Sequence, residues 1–125
     1  MTTEGPVLVG VEGVVDGEAF PLKYGNATLV GRSRSCDVSL RHCPRWIEAK
    51  QQGTESDKIA STVSRKHLKI TYHDPTSIEL EDLSSNGTFV DGRRIDRLVL
   101  TDIRDTPHEI MLGEKVKFRL EWNIE

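Results

Sequence analysis

The chain's C-terminal stretch alternates strictly: Val116, Phe118, Leu120 and Trp122 fall on one side, Lys117, Arg119 and Glu121 on the other. A period of two is the signature of a strand with one face on a core and one in water, and it excludes an amphipathic helix there. The same grammar runs back through the chain as short apolar runs separated by turn dipeptides. "GPVLVGVEG" and "EAFPLKY" flank Asp16-Gly17, and "GTFV" and "RRI" flank Asp91-Gly92. Both dipeptides suit tight hairpins, because Asp and Gly tolerate positive φ. "HLKITYH" and "SIELEDL" flank Asp74-Pro75, which favours a turn. "ATLVG", "CDVSL" and "EIMLG" supply further strands.

Only "PRWIEAKQQ" (44–52), with proline first and good helix formers behind it, suits a helical turn. It lies in a polar insertion running from His42 to Ser61, in which Trp46 and Ile47 are the residues able to anchor the first half. The expected fold is therefore all-β, a sandwich of two packed antiparallel sheets with one long loop insertion. At 125 residues the chain is expected to form a single domain, 1–125, with a hydrophobic core of its own. There are no repeats, low-complexity tracts or linkers.

Charge narrows the function classes. The net charge of −3 argues against general nucleic-acid binding. No apolar run approaches the ~20 residues of a membrane span, and no secretory signal opens the chain. Two cysteines, Cys36 and Cys43, imply no disulfide framework, so a cytoplasmic, reducing compartment is expected, though a single bridge is compatible with the count. Between Arg32 and Lys69, however, nine Lys/Arg face four Asp/Glu, whereas the remainder has eight against sixteen. A basic middle in an acidic chain suggests either a local anion site or a solvated charged face.

Three loop segments carry the residues an anion site needs. "GRSRSCD" follows an apolar strand, "STVSRKH" precedes one, and "LSSNGTFVDG" lies between two. An arginine offers a planar fork matched to phosphate oxygens. A serine hydroxyl with backbone N–H groups completes a cradle, and an asparagine amide can both donate to and accept from a peptide main chain. The bland alternatives are surface arginines and serine turn chemistry.

Two other readings use the same residues. Ser64 and His67 could be a nucleophile and its base, but the sequence offers no orienting acid, oxyanion hole or Gly-x-Ser-x-Gly motif. Cys36, His42 and Cys43 lack zinc spacing, so no metal or cofactor is expected, and the cysteines read as simple thiols.

In order, "LVGRS", "VSRKHLKI" and "LEDLSSNGTFVDG" resemble the Gly-Arg, Ser-x-x-His and Asn-Gly blocks of the forkhead-associated (FHA) domain, over about Gly5 to Trp122. The resemblance implies a sandwich of about eleven strands that binds phosphothreonine peptides through loops at one end. By position it implies phosphate ligands at Arg32, Ser64 and Arg65, a further hydroxyl from Ser85, and a backbone-holding amide at Asn86. Gly31, His67 and Gly87 would shape the site. The expected function is a non-enzymatic phosphopeptide-binding module for signalling or assembly. It would work as a monomer, its partner a protein phosphorylated on threonine by a Ser/Thr kinase. The alternative is a degenerate FHA domain docking a partner without phosphate. The chain departs from the family in the long span before "STVSRKH" and in the long link "IDRLVLTDIRDTPHEIMLG".

Overall fold

A computed structural model describes residues 4–51, 62–114 and 116–124. Among these described residues, eleven strands form two sheets: β1 (Glu4–Glu12), β2 (Ala19–Pro21), β3 (Ala27–Gly31), β4 (Val38–Ser39), β5 (Leu68–Asp74), β6 (Ser77–Asp82), β7 (Thr88–Val90), β8 (Arg93–Ile95), β9 (Arg97–Leu100), β10 (His108–Leu112) and β11 (Val116–Ile124). The six-stranded sheet has the order β2-β1-β11-β10-β7-β8, the five-stranded sheet β4-β3-β5-β6-β9. The one helix among the described residues is α1 (Pro44–Gln51), which starts at its proline as the sequence predicts.

The alternation of β11 is realised as read: Val116, Phe118 and Leu120 are fully buried, and Trp122 packs half-buried at the core's edge. Leu8 of β1 faces Leu120 of β11 across that strand pair, while Ile70, Ile78 and Leu80 fill the core from the opposite sheet. Asp91 and Gly92 both take positive φ (50° and 84°), making the two-residue hairpin between β7 and β8. The β1–β2 connection is wider than a tight hairpin, because Gly13–Val15 forms a 3-10 turn that buries Val14 and Val15 before Gly17 reverses the chain. At the β5–β6 turn the Asp74 carboxylate accepts from both the N–H and the hydroxyl of Thr76.

Three details differ from the sequence reading. β4 runs parallel to β3 (Val30 beside Val38), the one parallel pair among the described strands. Part of the long link after β8 is strand β9, which crosses to the other sheet and pairs with β6. Within the insertion, Trp46 is buried but Ile47 is exposed, so of these two residues the tryptophan is the anchor. The remainder of the insertion, 52–61, lies outside the described residues.

Candidate functional site

Strand register assembles the three loops. Leu68, the first residue of β5, stands between Val30 of β3 and Asp82 of β6. The end of β3, the approach to β5 and the exit from β6 are therefore neighbours at one end of the sandwich. Thr88 opens β7 opposite Leu112, which brings the β10–β11 turn to the same end.

The first two loops are joined backbone to backbone. The Arg32 N–H donates to the Ser64 carbonyl (3.1 Å) and the Ser33 N–H to the Arg65 carbonyl (3.0 Å). The approach is so close that a Cβ on Gly31 would stand 2.2 Å from the Arg65 oxygen and 3.0 Å from that of Ser64. Only glycine leaves room for this pairing. The Cys36 thiol, buried beneath the loop, donates to the same Arg65 carbonyl at 3.1 Å.

His67 joins the second loop to the third. Its Nδ1 accepts from the Ser64 N–H (3.0 Å), so Nε2 carries the proton and donates to the Gly87 carbonyl (2.8 Å). Burial pushes the imidazole pKa down and outweighs the bond to Gly87, which raises it. The ring is therefore neutral at neutral pH, the tautomer set by its two partners. With both nitrogens committed to the main chain, neither meets the Ser64 hydroxyl, so the pair lacks the contact that general-base activation needs.

The third loop is held from below. One carboxylate oxygen of Asp82 accepts from the Ser84 N–H (3.0 Å), the Ser84 hydroxyl (2.6 Å) and the Thr88 hydroxyl (2.9 Å). Burial alone would raise the Asp82 pKa, but these bonds outweigh it and hold the carboxyl below its ordinary value. The Ser84 oxygen in turn accepts from the Gly87 N–H at 2.8 Å. Gly87 adopts φ 102°, a conformation that strains any other residue, with the Arg94 side chain directly above it.

The presented groups sit on this frame. The Ser64 hydroxyl meets the Ser85 hydroxyl (3.3 Å) and accepts from the Ser85 N–H (3.2 Å). Asn86 donates one side-chain N–H to the Thr62 carbonyl (3.0 Å) and is otherwise exposed. Arg32 is half-buried, its Nε sealed from solvent and without a hydrogen-bond partner. Arg65 is exposed. Arg32, Ser33 and Arg65 line a pocket of about 310 Å³ together with Arg34 and Arg41. Among the described residues, no carboxylate pairs with any of these four arginines.

The eight residues singled out in the sequence thus gather at one end, with Ser64, Ser85 and Asn86 on one side and Arg32 and Arg65 in the basic pocket. Sequence reasoning missed Arg41, Asp82 and Gly113. Gly113 has φ 64°, lies against Thr62, and donates its N–H to the Gly87 carbonyl. The local excess of basic residues was the available signal for Arg41. Asp82 was legible only as an acid shortly before two serines. The cysteines of the rejected metal reading are free and buried, and burial pushes the Cys43 thiol up to about 11.

No curated protein sequence matches the chain. Among solved structures, the FHA domain of the CT664 protein of Chlamydia trachomatis is 26% identical, with a TM-score of 0.66 over 93% of this chain and 95% of that one. The FHA domain of an Arabidopsis thaliana hypothetical protein is 27% identical, with a TM-score of 0.68 over 95% and 86%. Mycobacterium tuberculosis EmbR, solved in complex with a low-affinity phosphopeptide, is 25% identical, with a TM-score of 0.63 over 93% of this chain and 24% of its own. The family model described as "FHA domain" matches residues 28–113, which span all three loops and the strands that carry them. The chain belongs to the FHA domain family.

Proposed function

We propose that this chain binds partner proteins phosphorylated on threonine. The observation that carries the reading is the basic pocket: four arginines line about 310 Å³, and among the described residues no carboxylate pairs with any of them. Bringing like charges together is unfavourable unless an anion joins them. EmbR, at 25% identity, was solved with a phosphopeptide, which supports the same ligand class here.

In this reading Arg32 is the main phosphate ligand. Its planar fork of donors suits two phosphate oxygens at once. Arg65 adds a second cation from the exposed side, and Ser64 a hydroxyl from the loop that His67 holds still. Ser85 shares that hydroxyl's position and contributes its own. Asn86 keeps one N–H on Thr62, leaving its other N–H and its carbonyl for the partner's main chain. Gly31, His67 and Gly87 shape the site by allowing or bracing loop contacts. The module transfers no group; it reads a mark left by a Ser/Thr kinase. Residues 1–125 act as one domain and as a monomer. Free thiols at Cys36 and Cys43 suit a reducing, cytoplasmic setting, and no helix among the described residues is long and apolar enough to cross a membrane.

Calorimetry of Arg32→Ala against a phosphothreonine peptide tests the assignment. The expected loss is at least ~2 kcal/mol of affinity with the melting transition retained. Arg32→Lys should rescue poorly, since an ammonium cannot reproduce the fork. Unchanged affinity in a folded Arg32→Ala protein would overturn the assignment.

A further inference from the structure

The insertion helix builds a second wall beside the basic pocket. After β4, the 3-10 turn Leu40–His42 buries Leu40 and leaves Arg41 half-exposed. Trp46, only 5% exposed, pins α1 to the core, and Arg45 ties it to Asp16 through the main-chain carbonyl (3.1 Å) and the carboxylate (3.7 Å). Held this way, the helix turns Ile47 outward, 45% exposed, and sets the Trp46 ring 6.0 Å from the Arg41 guanidinium. Arg34, Arg41, Trp46 and Ile47 then line a groove that shares its two arginines with the pocket of Arg32 and Arg65.

The charges do not balance with one phosphate. A phosphorylated threonine brings about two negative charges at neutral pH, while the two adjoining concavities hold four guanidinium groups without a paired acid among the described residues. The two arginines left over stand beside exposed apolar surface. Stacking on Trp46 also limits the freedom of Arg41, so less of its side-chain entropy is lost when a ligand arrives.

We infer that this groove is a specificity subsite for the same phosphorylated chain, taking an acidic side chain on Arg41 and Arg34 and a neighbouring apolar side chain on Ile47. The inference rests on the phosphothreonine reading and adds to it the composition of the partner's flank. It assigns α1, on a span longer than the family usually has, the task of choosing among phosphorylated partners.

The test is a set of phosphothreonine peptides, each with Asp, Ala or Lys at one flanking position, titrated against the full chain. Asp at one position or a neighbouring pair should bind about three- to tenfold more tightly than Ala, with Lys weaker still. In Arg41→Gln that advantage should collapse towards unity. Ile47→Asp, at an exposed position that leaves the fold intact, should reverse it. Peptides that bind through phosphate with no acidic preference, or a preference unchanged in both variants, would overturn the subsite and leave the phosphothreonine reading standing. Failure of every phosphorylated peptide to bind would overturn both.

Discussion

The Arg65 carbonyl occupies the space a Gly31 side chain would need: a Cβ at residue 31 would lie 2.2 Å from that oxygen and 2.9 Å from its carbon. The obstacle is backbone, not a flexible side-chain end. Gly31→Ala must therefore break the Arg32–Ser64 and Ser33–Arg65 hydrogen bonds or shift a strand end. We expect a stability loss of at least about 2 kcal/mol and no measurable phosphopeptide affinity. A Gly31→Ala protein with wild-type melting and binding would show that the loops are not locked by this contact.

His67 links Ser64 to Gly87 with zero exposure. His67→Ala leaves a buried N–H short of its acceptor and opens a cavity, so chemical denaturation should show a loss of about 3 kcal/mol or more. Hydrogen exchange at the Ser64 and Gly87 amides should accelerate well beyond that of β11.

His108 and His67 make opposite pH predictions. His108 sits between the Asp91 carboxylate (2.5 Å at Nδ1) and that of Asp102 (2.7 Å at Nε2). Burial lowers its pKa, but the two carboxylates outweigh burial and raise it. Its contribution is complete below the unfolded value of about 6.5 and is lost as pH rises through the raised folded value. His67, with a lowered pKa, acts the other way, destabilising the fold as pH falls below about 6.5. Stability should therefore peak near that pH, and His108→Gln should lose the decline on its alkaline side. An unchanged pH profile in His108→Gln would contradict the assignment.

Asn86 is exposed and its one hydrogen bond is at the surface. Asn86→Ala should cost no more than about 1 kcal/mol of stability while weakening phosphopeptide binding about tenfold or more. Equal affinity for wild type and Asn86→Ala, measured by calorimetry, would remove Asn86 from the binding face.

Trp46 and Ile47 are neighbours in sequence with opposite fates. Trp46→Ala should cost about 3 kcal/mol or more, whereas Ile47→Ser should stay within about 0.5 kcal/mol. Similar melting shifts for both would show that α1 is not docked through its tryptophan.

These contrasts show where sequence reasoning reached and where it stopped. The β11 alternation and the Asp91-Gly92 turn were legible because each depends on a local rule, side-chain period in one case and positive φ in the other. α1 was legible from its proline and helix formers. That Ile47 faces out was not, because the helix orientation is decided by where Trp46 finds the core. β9 was hidden because "RLVL" is short and its partner β6 lies in the sheet β8 does not share. The parallel pairing of β4 depends on a chain path that no local signal encodes. Motif order singles out Arg32, Ser64, Arg65, Ser85 and Asn86 as candidates, and the structure adds the register that gathers them at one end. Arg41 belongs to no motif, and reaches the pocket only through the turn after β4.

Binding is expected to depend on a phosphate carried by threonine. Fluorescence anisotropy decides this with one labelled peptide in three forms: phosphothreonine, phosphoserine and unmodified threonine. We expect the phosphothreonine form to bind, the unmodified form to lose at least about a hundredfold, and the phosphoserine form to be about ten- to two-hundredfold weaker, the worth of a single methyl in a snug recess. Equal binding of the phosphorylated and unmodified peptides would contradict the account and identify a module that docks its partner without phosphate.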